Sequence, residues 1–258
     1  MSKLIALDNG HGIATAGKRT PIFTDGTVSP LTGKNFMHEW EFNRRVVQLM
    51  KPMLESSGFR VLEVSPTDYD VPINERYKIA NNAKADYFLS VHANAMTGVW
   101  NSANGVETLV KLGGSSESYR MGKIIHRHLV EATGLKDRCA NLNNKLLERT
   151  DIGVLSWTQM PACLVECGFM DNIVEAKLLL SEDYRLKCAI ALVKGVCESF
   201  GVKVVLPTTP PVKPKMDKED ANKIINLLKA VYGIVPDKEI GRLADQLRIV
   251  SGQNTENS

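Results

Sequence analysis

The 258-residue chain is poor in the features that mark specialised classes of protein. It has no uninterrupted apolar run near the roughly 20 residues a membrane-spanning helix needs, so membrane insertion is not expected. Aromatic residues make up only 6%, and there are five cysteines, Cys139, Cys163, Cys167, Cys188 and Cys197. An odd number of thiols with no secretion signal does not suit a disulfide framework and implies reduced cysteines. The spacing Cys163-x-x-x-Cys167 is better read as buried core thiols than as a metal site. The formal net charge is only +3, with both signs interspersed, so no basic footprint for nucleic acid is present. Near the N-terminus, the apolar stretch is broken by Asp8 and is too short for a signal-peptide core. The expectation is synthesis in the cytoplasm. What the chain does have is 43% hydrophobic and 24% charged residues, the balance of a globular protein with a sizeable core.

Proline is concentrated in one place. Pro207, Pro210, Pro211 and Pro214 interrupt a run of Thr, Val and Lys that resists both helix and sheet. This divides the chain into a large domain (1–202), a Pro-rich linker (203–214) and a small helical domain (215–258). In the large domain, short apolar runs near residues 3–8, 59–64, 86–93, 105–111 and 161–166 read as strands. Helical spacing of apolar residues recurs near 39–54, 74–83, 118–133, 172–180 and 183–200. Alternating strands and helices predict an α/β layered domain, with a central, largely parallel twisted sheet flanked by helices. Ligands of such sheets bind outside the carboxyl ends of the strands.

Several residues with suitable chemistry fall at those ends. His11 follows the first strand within Asp8-Asn9-Gly10-His11-Gly12, and its flanking glycines permit close approach of a ligand. His92 closes an apolar strand, and Glu39 opens the first long helix. Two imidazoles and a carboxylate are a donor set used by catalytic zinc, which leaves one position for water. A second carboxylate, Glu166, ends the apolar stretch Pro161-Ala162-Cys163-Leu164-Val165. A carboxylate buried there is costly unless paired or used, and desolvation suits it to general base catalysis. Structural roles remain open for each: a satisfied histidine, a capping or salt-bridged glutamate. His38, beside Glu39, is a rival ligand, whereas His126 and His128 read as solvated positions on different faces of a helix.

Taken together, these blocks resemble the zinc-dependent N-acetylmuramoyl-L-alanine amidases of bacterial autolysins and phage endolysins. The resemblance spans about residues 3–200. It rests on Asp8-Asn9-Gly10-His11-Gly12, on Glu39 with Asn43 four residues later, on Arg76, Asn81 and Asp86 leading to Ser90-Val91-His92-Ala93-Asn94, and on Glu166-Cys167-Gly168-Phe169. It implies that His11, Glu39 and His92 bind one Zn²⁺ per catalytic domain and that Glu166 is the catalytic carboxylate. It also implies that the reaction is hydrolysis of the amide joining N-acetylmuramic acid to L-alanine in peptidoglycan. Asn94 could donate a hydrogen bond to substrate or serve a structural turn. The chain departs from the pattern in having Asn9 where proline is usual, Cys167 after the catalytic glutamate, and a long polar segment between Gly12 and Glu39.

Three other readings compete: a zinc peptidase cutting within the stem peptide, a wall-binding module without turnover, and a nucleotide-binding domain. The last has no glycine-rich phosphate loop to support it. Because the substrate lies outside the membrane, a cytoplasmic amidase would need release by a phage holin or by cell lysis, which favours an endolysin. In the C-terminal part, Ile224, Ile225, Leu228, Val231 and Tyr232 fall on one helical face, as do Ile240, Leu243, Ala244, Leu247 and Val250 on a second. Eight basic against seven acidic residues from Lys213 onward give no strong pull toward an anionic polymer. The expected role is wall targeting, aided by a homodimer through these helices.

Overall fold

The computed structural model describes residues 2–206, 221–226 and 247. The chain divides into two compact units, residues 1–206 and 207–258. The first unit runs β1 (Leu4–Asn9), α1 (Glu39–Ser56), β2 (Arg60–Glu63), α2 (Ile73–Asn82), β3 (Tyr87–Asn94), β4 (Glu107–Lys111), α3 (Ser116–Thr133), β5 (Leu147–Arg149), α4 (Gly153–Ser156), β6 (Ala162–Phe169), α5 (Ile173–Leu180) and α6 (Glu182–Ser199). Six strands form one sheet in the order β2-β1-β3-β6-β4-β5. All neighbouring pairs are parallel except β4 with β6. The α/β layered architecture expected from the sequence is therefore present, as a mixed, mostly parallel sheet.

The period of two along each strand sorts the side chains onto two unequal faces. Ile5, Leu7, Tyr87, Leu89, Val91, Cys163, Val165 and Cys167 enter the larger core, where α1, α3 and α6 supply Phe42, Val46, Met50, Ile125, Leu129, Leu192 and Val196. Leu4, Ala6, Phe88 and Leu164 enter a smaller core, completed by Ala80 of α2 and by Val154 and Leu155 of α4. Asp8, Ser90, His92 and Glu166 share the parity of the smaller face. The polar residues thus replace the apolar ones as each strand nears its carboxyl end. The thinner helical cover on that side leaves His92 and Glu166 partly exposed, whereas Asp8 and Ser90 stay buried.

Several expectations shift in detail. Glu166 does not end its strand, because β6 continues three residues to Phe169. The extension is held by pairing of Asn94 with Phe169, by the Met170 N–H donating to the Asn94 carbonyl at 2.7 Å, and by the Tyr184 hydroxyl donating to the Cys167 carbonyl at 2.6 Å. His92 likewise lies two residues inside β3, where a register shift separates it from Asn94. The short elements β5 and α4 were not expected. His126 is a clear correction: it is not solvated but buried, because α3 is covered by the sheet on one side and by α6 on the other. Its Nδ1 bonds the Thr108 hydroxyl at 3.0 Å and its Nε2 the Asp137 carboxylate at 2.9 Å. His128 is not simply solvated either, since its Nε2 pairs with Glu198 at 2.7 Å. All five cysteines are free thiols and buried, as the odd number suggested.

Val202, Val204 and Leu206 pack against the larger core of the first unit. In the second unit, residues 221–226 and 247 are helical, with Ala221 and Ile225 buried and Ile224 more than a third exposed. The remaining positions assigned to the two C-terminal helices, and residues 207–214 of the linker, lie outside the described residues. Among the described residues, no helix is long and apolar enough to cross a membrane.

Gly195 marks where α6 crosses α3. A Cβ built there would lie 2.8 Å from the Ile125 Cα, a backbone atom that cannot step aside. Replacing a mid-helix glycine by alanine ordinarily gains about 1 kcal/mol from helix propensity. Here the overpacking cost of about 1–3 kcal/mol works against that gain. Gly195→Ala is therefore expected to lower the thermal midpoint by a few degrees, and calorimetry showing a raised midpoint would contradict this crossing.

Candidate active site

The site is assembled around two buried ion pairs at the carboxyl ends of β1, β3 and β6. Asp8, 1% exposed, accepts from Arg76 Nη1 at 2.6 Å, from the Ser65 hydroxyl at 2.9 Å and from the Ser90 hydroxyl at 2.7 Å. The same guanidinium donates to the carbonyls of Val71 and Asn9 at 2.7 and 2.8 Å, to that of His11 at 3.3 Å, and to the Asp70 carboxylate at 2.7 Å. Arg76 thereby fixes the turn that carries His11. That residue has φ of 63°, the left-handed region that a residue with a Cβ adopts only when its surroundings enforce it.

Glu39 is the first residue of α1, where the exposed N–H groups of the helix favour a negative charge. Its Oε1 lies 2.8 Å from His92 Nδ1 and accepts from the Asn43 amide at 3.2 Å and the Ala93 N–H at 3.3 Å. Its Oε2 lies 3.4 Å from His11 Nε2. Asn43 also donates to the Gly10 carbonyl at 3.0 Å, which ties α1 to the His11 turn and explains the four-residue spacing from Glu39. The donor atoms of His11, Glu39 and His92 all lie within 4.8 Å of one another, close enough to share one metal ion. His38 is not part of this group; its ring meets Phe36 edge-on, with centroids 5.0 Å apart.

Electrostatics divide the two carboxylates. Burial opposes charge on Glu39, but the His92 hydrogen bond and the field of both imidazoles hold its carboxyl well below the usual range. Glu166 is partly buried, and desolvation pushes its carboxyl up to about 8, with His92 opposing and the negative charges of Glu39 and Glu107 adding to the rise. Glu166 stands opposite His92 in the β3–β6 register and opposite Glu107 in the β6–β4 register. Its Oε2 is buried with no hydrogen-bond partner, an unusual cost for a native fold unless the oxygen serves a ligand. Burial lowers His11 to about 4, which keeps its imidazole neutral and able to coordinate.

The donor set fits zinc: two imidazoles and an ionised carboxylate converge, and an unpartnered carboxylate oxygen stands at the neighbouring position of the sheet. A cavity lined by His11, His92, Glu166, Lys18, Asp70 and Val154, among others, opens over this group. Asn94 is not in its lining; its amide donates to Glu107 at 3.1 Å. Lys18 and Asp151 were not singled out in the sequence, because an isolated lysine or aspartate in a polar loop carries no pattern. Asp8 and Arg76 stood within the matched blocks, but only the fold shows them paired.

The fold and this constellation place a candidate metal-binding group at the carboxyl edge of a mostly parallel sheet. The chain belongs to the N-acetylmuramoyl-L-alanine amidase family, whose model matches residues 5–198. It is 30% identical over 232 residues to the endolysin of Bacillus phage SPP1, covering 87% of this chain and 76% of that one. It is 27% identical over 203 residues to the sporulation-specific N-acetylmuramoyl-L-alanine amidase of Bacillus subtilis, covering 77% of this chain and 69% of the relative. Among solved structures, it is similar to the catalytic domain of the amidase CwlV from Bacillus (Paenibacillus) polymyxa var. colistinus, with 28% identity and a TM-score of 0.62, covering 78% of this chain and 99% of that one. Its activity is that of the family, hydrolysis of the amide between N-acetylmuramic acid and L-alanine, and its substrate is peptidoglycan.

Gly10 offers a direct test of the geometry. A Cβ at this position would lie 2.0 Å from Cε1 of the His92 ring, so the ring occupies the space that only glycine leaves. Gly10→Ala is expected to turn His92 away from Glu39 and lower bound divalent metal well below one equivalent, while circular dichroism stays near wild type. Full metal content in the variant would show that His92 does not need this position.

Proposed function

We propose that the chain is a zinc-dependent amidase of the endolysin type, in which His11, Glu39 and His92 hold the metal and Glu166 handles the proton. The observation that carries this reading is a buried, unpartnered oxygen of the Glu166 carboxylate at the sheet position next to His92 of the converging donor group. Zinc, when bound, supplies a Lewis acid for the scissile carbonyl and makes water easier to deprotonate at neutral pH. Glu166 accepts the proton of the attacking water and then delivers it to the departing amine of L-alanine. Its upward shift suits a group that must take and give a proton near neutrality. Glu39 has the opposite environment and stays ionised as a ligand. Asn43 and the Ala93 N–H orient that carboxylate from behind. The bond from Asn94 to Glu107 favours a bracing role for Asn94 over direct contact with substrate.

The lytic role rests on the match to the phage endolysin. That match covers 87% of this chain, more than the first compact unit contains, so it reaches into the C-terminal unit. Such an enzyme is made in the cytoplasm and meets its substrate after a holin or cell lysis opens the way. The C-terminal unit then serves wall targeting, with self-association through its helices raising avidity for a repetitive polymer.

Two outcomes are expected. Alanine at His11, Glu39 or His92 should each reduce zinc content and abolish wall lysis, whereas Glu166→Gln should retain zinc and lose at least about 100-fold in rate. A Glu166 variant without stoichiometric zinc would mean that ligand and proton carrier have been exchanged. Digested walls should release new N-terminal L-alanine in a chelator-sensitive manner. New reducing ends would indicate glycan cleavage, and new termini within the stem would indicate a peptidase.

A further inference from the structure

The segment between Gly12 and Glu39 brings one more side chain to the cavity. Lys18 lines it together with His11, His92 and Glu166. The lysine is fixed through its backbone: its N–H donates to the Thr15 carbonyl at 3.3 Å, and its carbonyl accepts the Glu39 N–H at 2.9 Å. The residue that starts α1 and joins the metal-ligand group therefore also positions Lys18. Its charge is felt at His11, Glu39 and Glu166 alike.

Most other charges around the cavity are paired, the exception being Glu166, whose Oε2 has no hydrogen-bond partner. Asp8 and Asp70 share Arg76, and Asp151 accepts from Arg149 Nε at 2.8 Å. Lys18 is partly buried, and its ammonium makes no hydrogen bond or ion pair with a described residue. A lysine ammonium without a partner beside the cavity can receive an incoming anion in a charge-assisted hydrogen bond. Neutral sugar hydroxyls are weaker partners for it. The stem peptide, by contrast, carries carboxylates, one of them the α-carboxylate of its second residue, which some walls leave free and others amidate.

We propose that Lys18 is a specificity residue that binds a free carboxylate of the stem peptide close to the scissile amide. This rests on the amidase reading of the site and adds to it a preference for wall chemistry. A lysine suits the task because its flexible stem and three donors take a carboxylate as a point charge rather than in a fixed fork.

The test uses two N-acetylmuramoyl tetrapeptides that differ only at the second residue, one with the α-carboxylate free and one with it amidated. The full-length wild type should show the lower KM for the acid. Lys18→Met should raise that KM roughly tenfold, as expected for loss of one charge-assisted hydrogen bond. It should leave KM for the amide within about twofold, and Lys18→Arg should restore most of the preference. Calorimetric binding of the two compounds to the zinc-loaded Glu166→Gln protein, with and without Lys18→Met, reads the same preference without turnover. An acid preference in binding that Lys18→Met removes would uphold the proposal even if the wild type cleaved neither compound, a result that would instead sink the amidase reading. Equal binding of acid and amide by the wild type would overturn it. So would a Lys18→Met effect of equal size on both compounds, or one confined to kcat, which would place Lys18 in the electrostatics of the reacting centre.

Discussion

The site depends on the buried pair between Arg76 and Asp8. Both groups are almost wholly removed from water, so neither can be left alone: an unpartnered charge in such a place costs about 3–5 kcal/mol. The pair is kept by surrounding it with further acceptors and donors, the carbonyls of Asn9 and Val71, the Asp70 carboxylate and the hydroxyls of Ser65 and Ser90. These come from four separate stretches of chain: Asn9, Ser65, Asp70 with Val71, and Ser90. The Arg76–Asp8 pair therefore binds the end of β1, the end of β3 through Ser90, and the loop before α2 into one rim, from which His11 projects.

On that rim, two glutamates of the same intrinsic acidity are driven apart. Glu39 sits at a helix start, with two imidazoles, a side-chain amide and a backbone N–H facing it. Glu166 sits on a strand between His92 and another carboxylate, with one oxygen facing no donor. The chemistry of the residue is the same, and the backbone element beneath it decides its task. A sheet brings side chains of neighbouring strands together with the same parity, so His92 and Glu166 face the cavity as neighbours. The helix N-terminus brings Glu39 to the same point from the other side of the sheet ends.

Much of this was legible in the chain. The apolar runs of β1, β3 and β6 are uninterrupted because both faces are covered, and a polar residue on such a strand stands out, as His92 and Glu166 do. Helices α1, α3, α5 and α6 announced themselves by spacing and by their stops, Gly134 among them. What escaped was what local pattern does not encode. Three- and four-residue elements such as β5 and α4 are too short to show a period. The continuation of β6 past Glu166 depends on contacts with Asn94 and Tyr184, which are distant in sequence. His126 looked like any polar residue on an amphipathic helix, and only a helix covered on two sides explains its burial against Thr108 and Asp137. Lys18 lies in an irregular loop whose course is set by bridges such as that from Arg19 to His38.

The sealed thiols have a consequence for the working life of the enzyme. Attack by peroxide or by a mixed disulfide requires a thiolate and a path to it. Burial pushes Cys163 up to about 12 and raises Cys139 and Cys197, while Cys167 is raised by its hydrogen bond to Cys188 as well as by burial. None of the five is open to solvent. Whatever the redox state of the medium in which a wall hydrolase meets its substrate, this fold presents no exposed thiol to it. Oxidation of these thiols would first require the fold to open.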